Sequence, residues 1–293
     1  MTKKTALILS GGGAKGAFQA GAEKYAREVK GYHWDIIAGV SVGALNGAML
    51  AMEKYERLWQ IWNTISDSQV YTGGFNLWSI IRLLLGEKSF YGNEPLYRLL
   101  RKELEVGKIR ADLRIGSVSL ISGAYVEFGN DSPYLVKAVL ASTVMPVIWS
   151  PVNISEEYQF MVDGGVRNIS PIGDVLGADP DEIVIINCGA EAIDPLTSPP
   201  KTIVDIGLRT LDILLNELFV SDMREFIKVN LLVQQAAAHG LILNNANGKP
   251  LKYFNCKIIE PVSPLGDTLD FSQAAVQSSL VAGEERALQV LGK

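Results

Sequence analysis

Residues 34–43 read Trp34-Asp35-Ile36-Ile37-Ala38-Gly39-Val40-Ser41-Val42-Gly43, and this stretch decides the fold. Residues 34–40 are an apolar run of strand length, and residues 42–52 are small and apolar in a run that reads as a helix. At their junction stands the pattern GxSxG, Gly39-Val40-Ser41-Val42-Gly43. A serine between a strand and a helix sits on a sharp, strained turn, where side chains two positions away on either side collide. Glycine at both positions removes the collision. The turn lifts the Ser41 hydroxyl clear of a sheet, at a helix N-terminus whose dipole favours developing negative charge. The competing role is an ordinary tight turn whose serine caps the helix.

Working outward, residues 5–10 form a buried strand that runs into glycines, and residues 14–29 carry helical periodicity. The chain therefore opens strand–loop–helix–strand–turn–helix, the order of a mainly parallel sheet covered by helices in an α/β fold. Further strands are expected at residues 113–122 and 125–128, paired as a hairpin around Gly123, and at 158–162, 182–188 and 253–260. Helices are expected at 94–105, 134–143, 202–226 and 272–291. The helix at 202–226 has a polar stripe (Asp205, Arg209, Asp212, Asn216) and is apolar elsewhere, which predicts deep packing. Residues 75–85 (FNLWSIIRLLL), with Trp78, are either a lid or acyl-channel element or a buried core helix. Residues 194–200 are too short a linker to divide the chain, so residues 1–293 are expected to form one three-layer α/β/α domain.

The glycine-rich loop Gly11-Gly12-Gly13-Ala14-Lys15-Gly16 opens the first helix. Glycines let backbone N–H groups point into a cavity unobstructed, and two or three such groups hold the oxyanion of a tetrahedral intermediate. Lys15 adds positive charge or fixes the loop. Gly11, Gly13 and Gly16 also fit GxGxxG, the dinucleotide fingerprint. That reading wants an acidic residue at the end of the second strand, but the strand ends in the serine turn and Asp35 lies at its start. A nucleotide-dependent oxidoreductase is thus the weaker alternative.

Asp163-Gly164-Gly165 follows the strand-like YQFMV and places a carboxylate at the carboxyl edge of a sheet, or else marks a plain Asp-Gly turn. The chain has only two histidines. His33 lies near the start of the strand that ends in Ser41, at the wrong edge, and His239 precedes Gly240 at a helix end. A charge at a helix C-terminus suits His239 better than a place in a Ser-His-Asp triad.

A net charge of −5 excludes the Lys/Arg surplus that a nucleic-acid binder needs. Cys188 and Cys256 belong to no CxxC or Cys/His cluster, so no metal is expected, and both read as buried free thiols. The apolar run after Lys3-Lys4 is too short for a signal peptide, and no stretch of about 20 apolar residues is present. These features point to a cytoplasmic chain with, at most, peripheral membrane contact.

Taken together, GGGAKGAFQAG, GVSVGALNG and DGG, in that order, resemble the patatin-like phospholipases. Ala141-Ser142-Thr143-Val144-Met145-Pro146 with Ser150-Pro151-Val152, and Leu269-Asp270-Phe271-Ser272, resemble further segments of that family. The resemblance implies a Ser-Asp dyad without histidine, with Ser41 as nucleophile and Asp163 as base. It implies an oxyanion hole at the Gly11, Gly12 and Gly13 amides, supported by Lys15 and Gly16, and an elbow shaped by Gly39 and Gly43. Val40 departs from the Thr or Ala more usual there. The activity implied is hydrolysis of phospholipid or other acyl-lipid esters, of the phospholipase A or lysophospholipase type, without a cofactor. A catalytically silent lipid-binding protein of the same fold is the remaining alternative.

Overall fold

The computed structural model of the protein describes residues 3–65, 70, 72–73, 91–146, 148–193, 195–196 and 198–292. Segment 75–85, with Trp78, lies outside the described residues. The chain begins β1 (Thr5–Leu9), α1 (Gly16–Glu28), β2 (Ile36–Gly39), α2 (Val42–Ala51) and α3 (Tyr55–Thr64). A two-stranded ribbon, β3 (Thr72–Gly73) and β4 (Tyr91–Gly92), leads to α4 (Glu94–Glu103), β5 (Asp112–Ser119), β6 (Tyr125–Phe128) and α5 (Leu135–Ser142). Then follow β7 (Met161–Asp163), α6 (Gly173–Leu176), β8 (Glu182–Ile186), α7 (Ile203–Ala238), β9 (Asn255–Ile259) and α8 (Gln273–Leu291).

The main sheet has the order β6-β5-β2-β1-β8-β9, with β7 also paired to β5. The strands from β5 through β2, β1 and β8 to β9 are parallel, and β6 and β7 run against β5. Helices cover both faces, which is the mainly parallel α/β/α architecture that the opening strand–helix alternation predicts. Side chains alternate between faces along each strand. Leu7, Leu9, Ile37 and Val184 pack with α1, α2 and α8, whereas Ala6, Ile8, Ile36 and Ile185 pack with Phe219, Val220 and Met223 of α7.

On the first face the helices nearly touch. A Cβ at Gly283 of α8 would lie 2.1 Å from the Phe18 carbonyl oxygen of α1, and one at Gly21 of α1 would lie 2.0 Å from the Leu280 oxygen. Small residues thus set the α1–α8 spacing.

Three expectations are corrected. Residues 158–160 are not strand, and β7 is short and antiparallel to β5. The helix expected at 202–226 spans 36 residues and is not deeply packed: it buries Phe219, Val220, Met223 and Val233 and leaves most of its length open. Its middle packs on the sheet, and Leu208 near its start packs on Val144, Ile148 and Trp149. Cys256 is a free thiol but only half-buried, because β9 is the edge strand; Cys188 is free and buried. Among the described residues no helix is long and apolar enough to cross a membrane.

Candidate active site

β5 brings the candidate nucleophile and base together. β2 pairs along Asp112–Ile115 of β5, β6 along Ile115–Val118, and β7 along Ser117–Ser119. Ile115 has β2 and β6 on opposite edges, and Ser117 has β6 and β7 on opposite edges, so β2 and β7 share one edge of β5. They run along it towards each other. Gly39 stands level with Ile115 and Asp163 with Ser117, two residues or about 7 Å along the strand. The carboxylate therefore reaches the carboxyl edge of the sheet from an antiparallel strand, not from the parallel set.

Ser41 follows β2 with φ 55° and ψ −129°, a positive φ that a non-glycine residue rarely adopts. Its neighbours explain how the turn survives. A Cβ at Gly39 would lie 2.3 Å from the Gly43 carbonyl oxygen, and one at Gly43 would lie 2.2 Å from that of Leu9. The Ser41 N–H donates to the hydroxyl of Ser142, at the buried end of α5, at 2.9 Å. Ser142 belongs to a segment singled out in the sequence, but nothing in the sequence gave it this partner 101 residues away.

Asp163 is buried. Its N–H donates to the Val144 carbonyl at 2.9 Å, and its Oδ1 accepts from the Gly165 N–H at 2.7 Å. The Ser41 side chain lies close enough to this carboxylate to act on its pKa. Burial pushes the Asp163 pKa up to about 7, against the lowering effect of the Ser41 side chain and of the Gly165 N–H.

The glycine loop lies beside them. The Gly11 N–H is committed to the Ile169 carbonyl at 2.9 Å, whereas the Gly12 and Gly13 N–H groups have no acceptor among the described residues. Gly13 has φ 57°, and a Cβ there would lie 2.3 Å from the Thr268 oxygen. That same oxygen accepts from the Ala14 N–H at 2.8 Å and anchors the loop to residues far along the chain. Gly16 admits Val42, whose Cγ2 would lie 2.2 Å from a Cβ there. Buried amides brace the assembly: Asn46 donates to the Gly16 carbonyl at 2.9 Å and to Gln19 at 3.0 Å, and Gln19 to the Ser10 carbonyl at 2.8 Å. Trp62 in turn donates to Asn46 at 2.9 Å. Neither Gln19 nor Asn46 stands out in the sequence, since a buried amide inside a helix resembles any polar residue until its partners are known.

Two chambers open on Ser41 and Asp163. One, of about 1010 Å³ counted to its open mouth, is walled by apolar side chains that include Leu45, Met49, Leu58, Trp62 and Leu96. The other, of about 780 Å³, is more polar and is bordered by Gly11, Gly12, Lys15, Asp212, Asn216 and Phe219. Lys15 makes no ion pair among the described residues. His33 is exposed ahead of β2, and His239 caps α7 before the left-handed Gly240 at φ 71°; neither lines a chamber. Asp35 accepts from the Thr5 N–H at 2.7 Å, at the amino end of β2 and far from the loop glycines.

Two comparisons place the chain beside known proteins, and the first spans the site. A family model described as patatin-like phospholipase matches residues 7–176, which hold the glycine loop, the serine turn and Asp163. Among solved structures, the chain is similar to VipD from Legionella pneumophila, with a TM-score of 0.49 and 13% sequence identity over 100% of this chain and 67% of that one.

Proposed function

The chain belongs to the patatin-like phospholipase family of lipid acyl hydrolases, and on that premise we propose that it cleaves fatty-acyl esters of phospholipids through a serine acyl-enzyme, with Ser41 as nucleophile and Asp163 as base. The observation that carries this reading is the meeting of a serine held at positive φ and a buried carboxylate in the wall of the same two chambers. A free carboxylate with a pKa near 4 is a weak base towards a hydroxyl. Burial brings Asp163 to about 7, where it takes a proton readily and gives it back readily.

As the Ser41 oxygen attacks the ester carbonyl, its proton passes to Asp163. The oxyanion forms against the Gly12 and Gly13 N–H groups. The Gly11 amide holds the loop through Ile169, so the hole consists of two donors rather than three. Asp163 then protonates the leaving alcohol. A water that loses its proton to the same carboxylate attacks the acyl-enzyme, and Ser41 recovers its hydroxyl as the fatty acid leaves. The apolar chamber takes the acyl chain, and the chamber with Lys15, Asp212 and Asn216 takes the polar remainder of the substrate. An apolar chamber beside Ser41 suits a phospholipase A or lysophospholipase.

The test is covalent labelling with a long-chain alkyl fluorophosphonate, read by intact mass and peptide mapping. One adduct on Ser41, absent from Ser41→Ala, is the expected result. No adduct, with or without lipid vesicles, overturns the proposal.

A further inference from the structure

The proposed reaction needs a lipid delivered from an aggregate, and one exposed surface stands beside the site without a partner among the described residues. It is the outer face of the first four turns of α7. Ile203, Ile206, Ile213 and Leu214 are exposed by 86, 52, 49 and 56%. With Gly207 and Thr210, they occupy the solvent-directed positions of a 3.6-residue repeat, and none carries charge. On the same face further along, Glu217, Arg224, Glu225 and Lys228 take over, so the apolar character stops abruptly at the fifth turn.

The charges within the apolar turns are already occupied. Asp205 accepts from the Thr202 N–H at 2.9 Å in the helix cap, and Arg209 pairs with Asp212 at 2.8 Å. Such a helix end enters a medium of low polarity without stranding a charge. The reverse side of the same turns is part of the site: Leu211, Asp212 and Leu215 border the polar chamber that opens on Ser41.

We propose that this face is the surface by which the protein docks on a zwitterionic phospholipid aggregate, setting the chamber mouth against the lipid interface. The proposal rests on the acyl-lipid reading above and adds to it the partner and the face. Two features select this occupant. An uncharged face matches an interface without net charge, and a chain with a net charge of −5 gains nothing from an anionic one. The face is also too small for a dimer: four turns are about 22 Å long and about 10 Å wide, roughly 200 Å², against the ~800 Å² per partner of a stable interface.

The experiment is flotation of the full chain with phosphatidylcholine vesicles, beside hydrolysis of a soluble short-chain aryl ester. The double variant Ile206→Glu/Ile213→Glu is expected to lower vesicle partitioning at least tenfold and to keep ester hydrolysis within twofold, which also reports an intact fold. Ile206→Trp/Ile213→Trp is expected to raise partitioning. Partitioning of the wild type that persists at high salt supports the proposal. Partitioning unchanged in the Glu variant overturns it, as does a requirement for anionic lipid. Wild-type self-association that the Glu variant abolishes without affecting flotation assigns the face to a second copy and also overturns it. Normal flotation without any Ser41 adduct would sink only the catalytic reading. An adduct on Ser41 with flotation indifferent to these substitutions would sink only the docking face.

Discussion

The two faces of the sheet are built on different principles. On one, α1, α2 and α8 form a thick layer over the odd-numbered positions of β1, and α1 and α8 approach until backbone meets backbone at Gly21 and Gly283. On the other, the short α6 with Val175 and the middle of the long α7 with Phe219, Val220 and Met223 cover the sheet, and α7 leaves many of its apolar side chains in the open. The first face is the more closely packed, and each face holds one of the two chambers that open on Ser41. The apolar chamber is walled by α2, α3 and α4 on the first side, and the polar chamber by α7 on the second.

Substitutions can break this contrast or sharpen it. The largest effect is expected at Gly283→Leu, where new atoms must displace the Phe18 backbone: about 3 kcal/mol or more of stability lost, seen as a collapse of the denaturant midpoint. Phe219→Ala on the thinner face removes one of its few anchors and should cost about 3 kcal/mol in the same measurement. Asp163 lies between the faces and is expected to act through pH. Its raised pKa means that the native state holds a proton that the unfolded state has released. Stability from this group is therefore full below about pH 4 and is lost as the pH rises through about 7. Asp163→Asn should melt about 4 °C or more above wild type at pH 8 and level with it at pH 4, while ester hydrolysis falls about 100- to 10,000-fold. The wild-type kcat/KM should rise with pH to a plateau, half-maximal near pH 7. The smallest effect is expected at Ile227→Ser, on the exposed side of α7, which should change stability by no more than about 0.5 kcal/mol. A loss of several kcal/mol there would mean that the second face is packed after all.

Local chemistry explains which parts were legible in the sequence. The serine turn, the glycine loop and Asp163-Gly164-Gly165 are each defined by a backbone shape that only certain residues permit, so short patterns locate them. The antiparallel course of β7 was not legible, because three residues carry no directional signal and their pairing depends on the length of β5. Ser142, Gln19 and Asn46 act across gaps in sequence, and no pattern links them to Ser41 or to the loop. The exposure of α7 was misread for a different reason. A helix that is apolar nearly all round reads as core, but here only the middle of its 36 residues meets the sheet.

The head-on meeting of β2 and β7 along β5 makes β5 the ruler of the candidate dyad. The residues between Ser41 and Asp163 number more than a hundred, but apart from β5 and the stretch with Ser142 and Val144 their length and shape do not enter the spacing of hydroxyl and carboxylate. Loops inserted there can be lengthened, exchanged or reshaped to suit another substrate while that spacing stays fixed. A single residue added within β5 itself would part the two groups by about 3.3 Å, further than a hydrogen bond can stretch. The chain between nucleophile and base is thus free to vary where it spares β5 and the residues Ser142 and Val144 that hold Ser41 and Asp163.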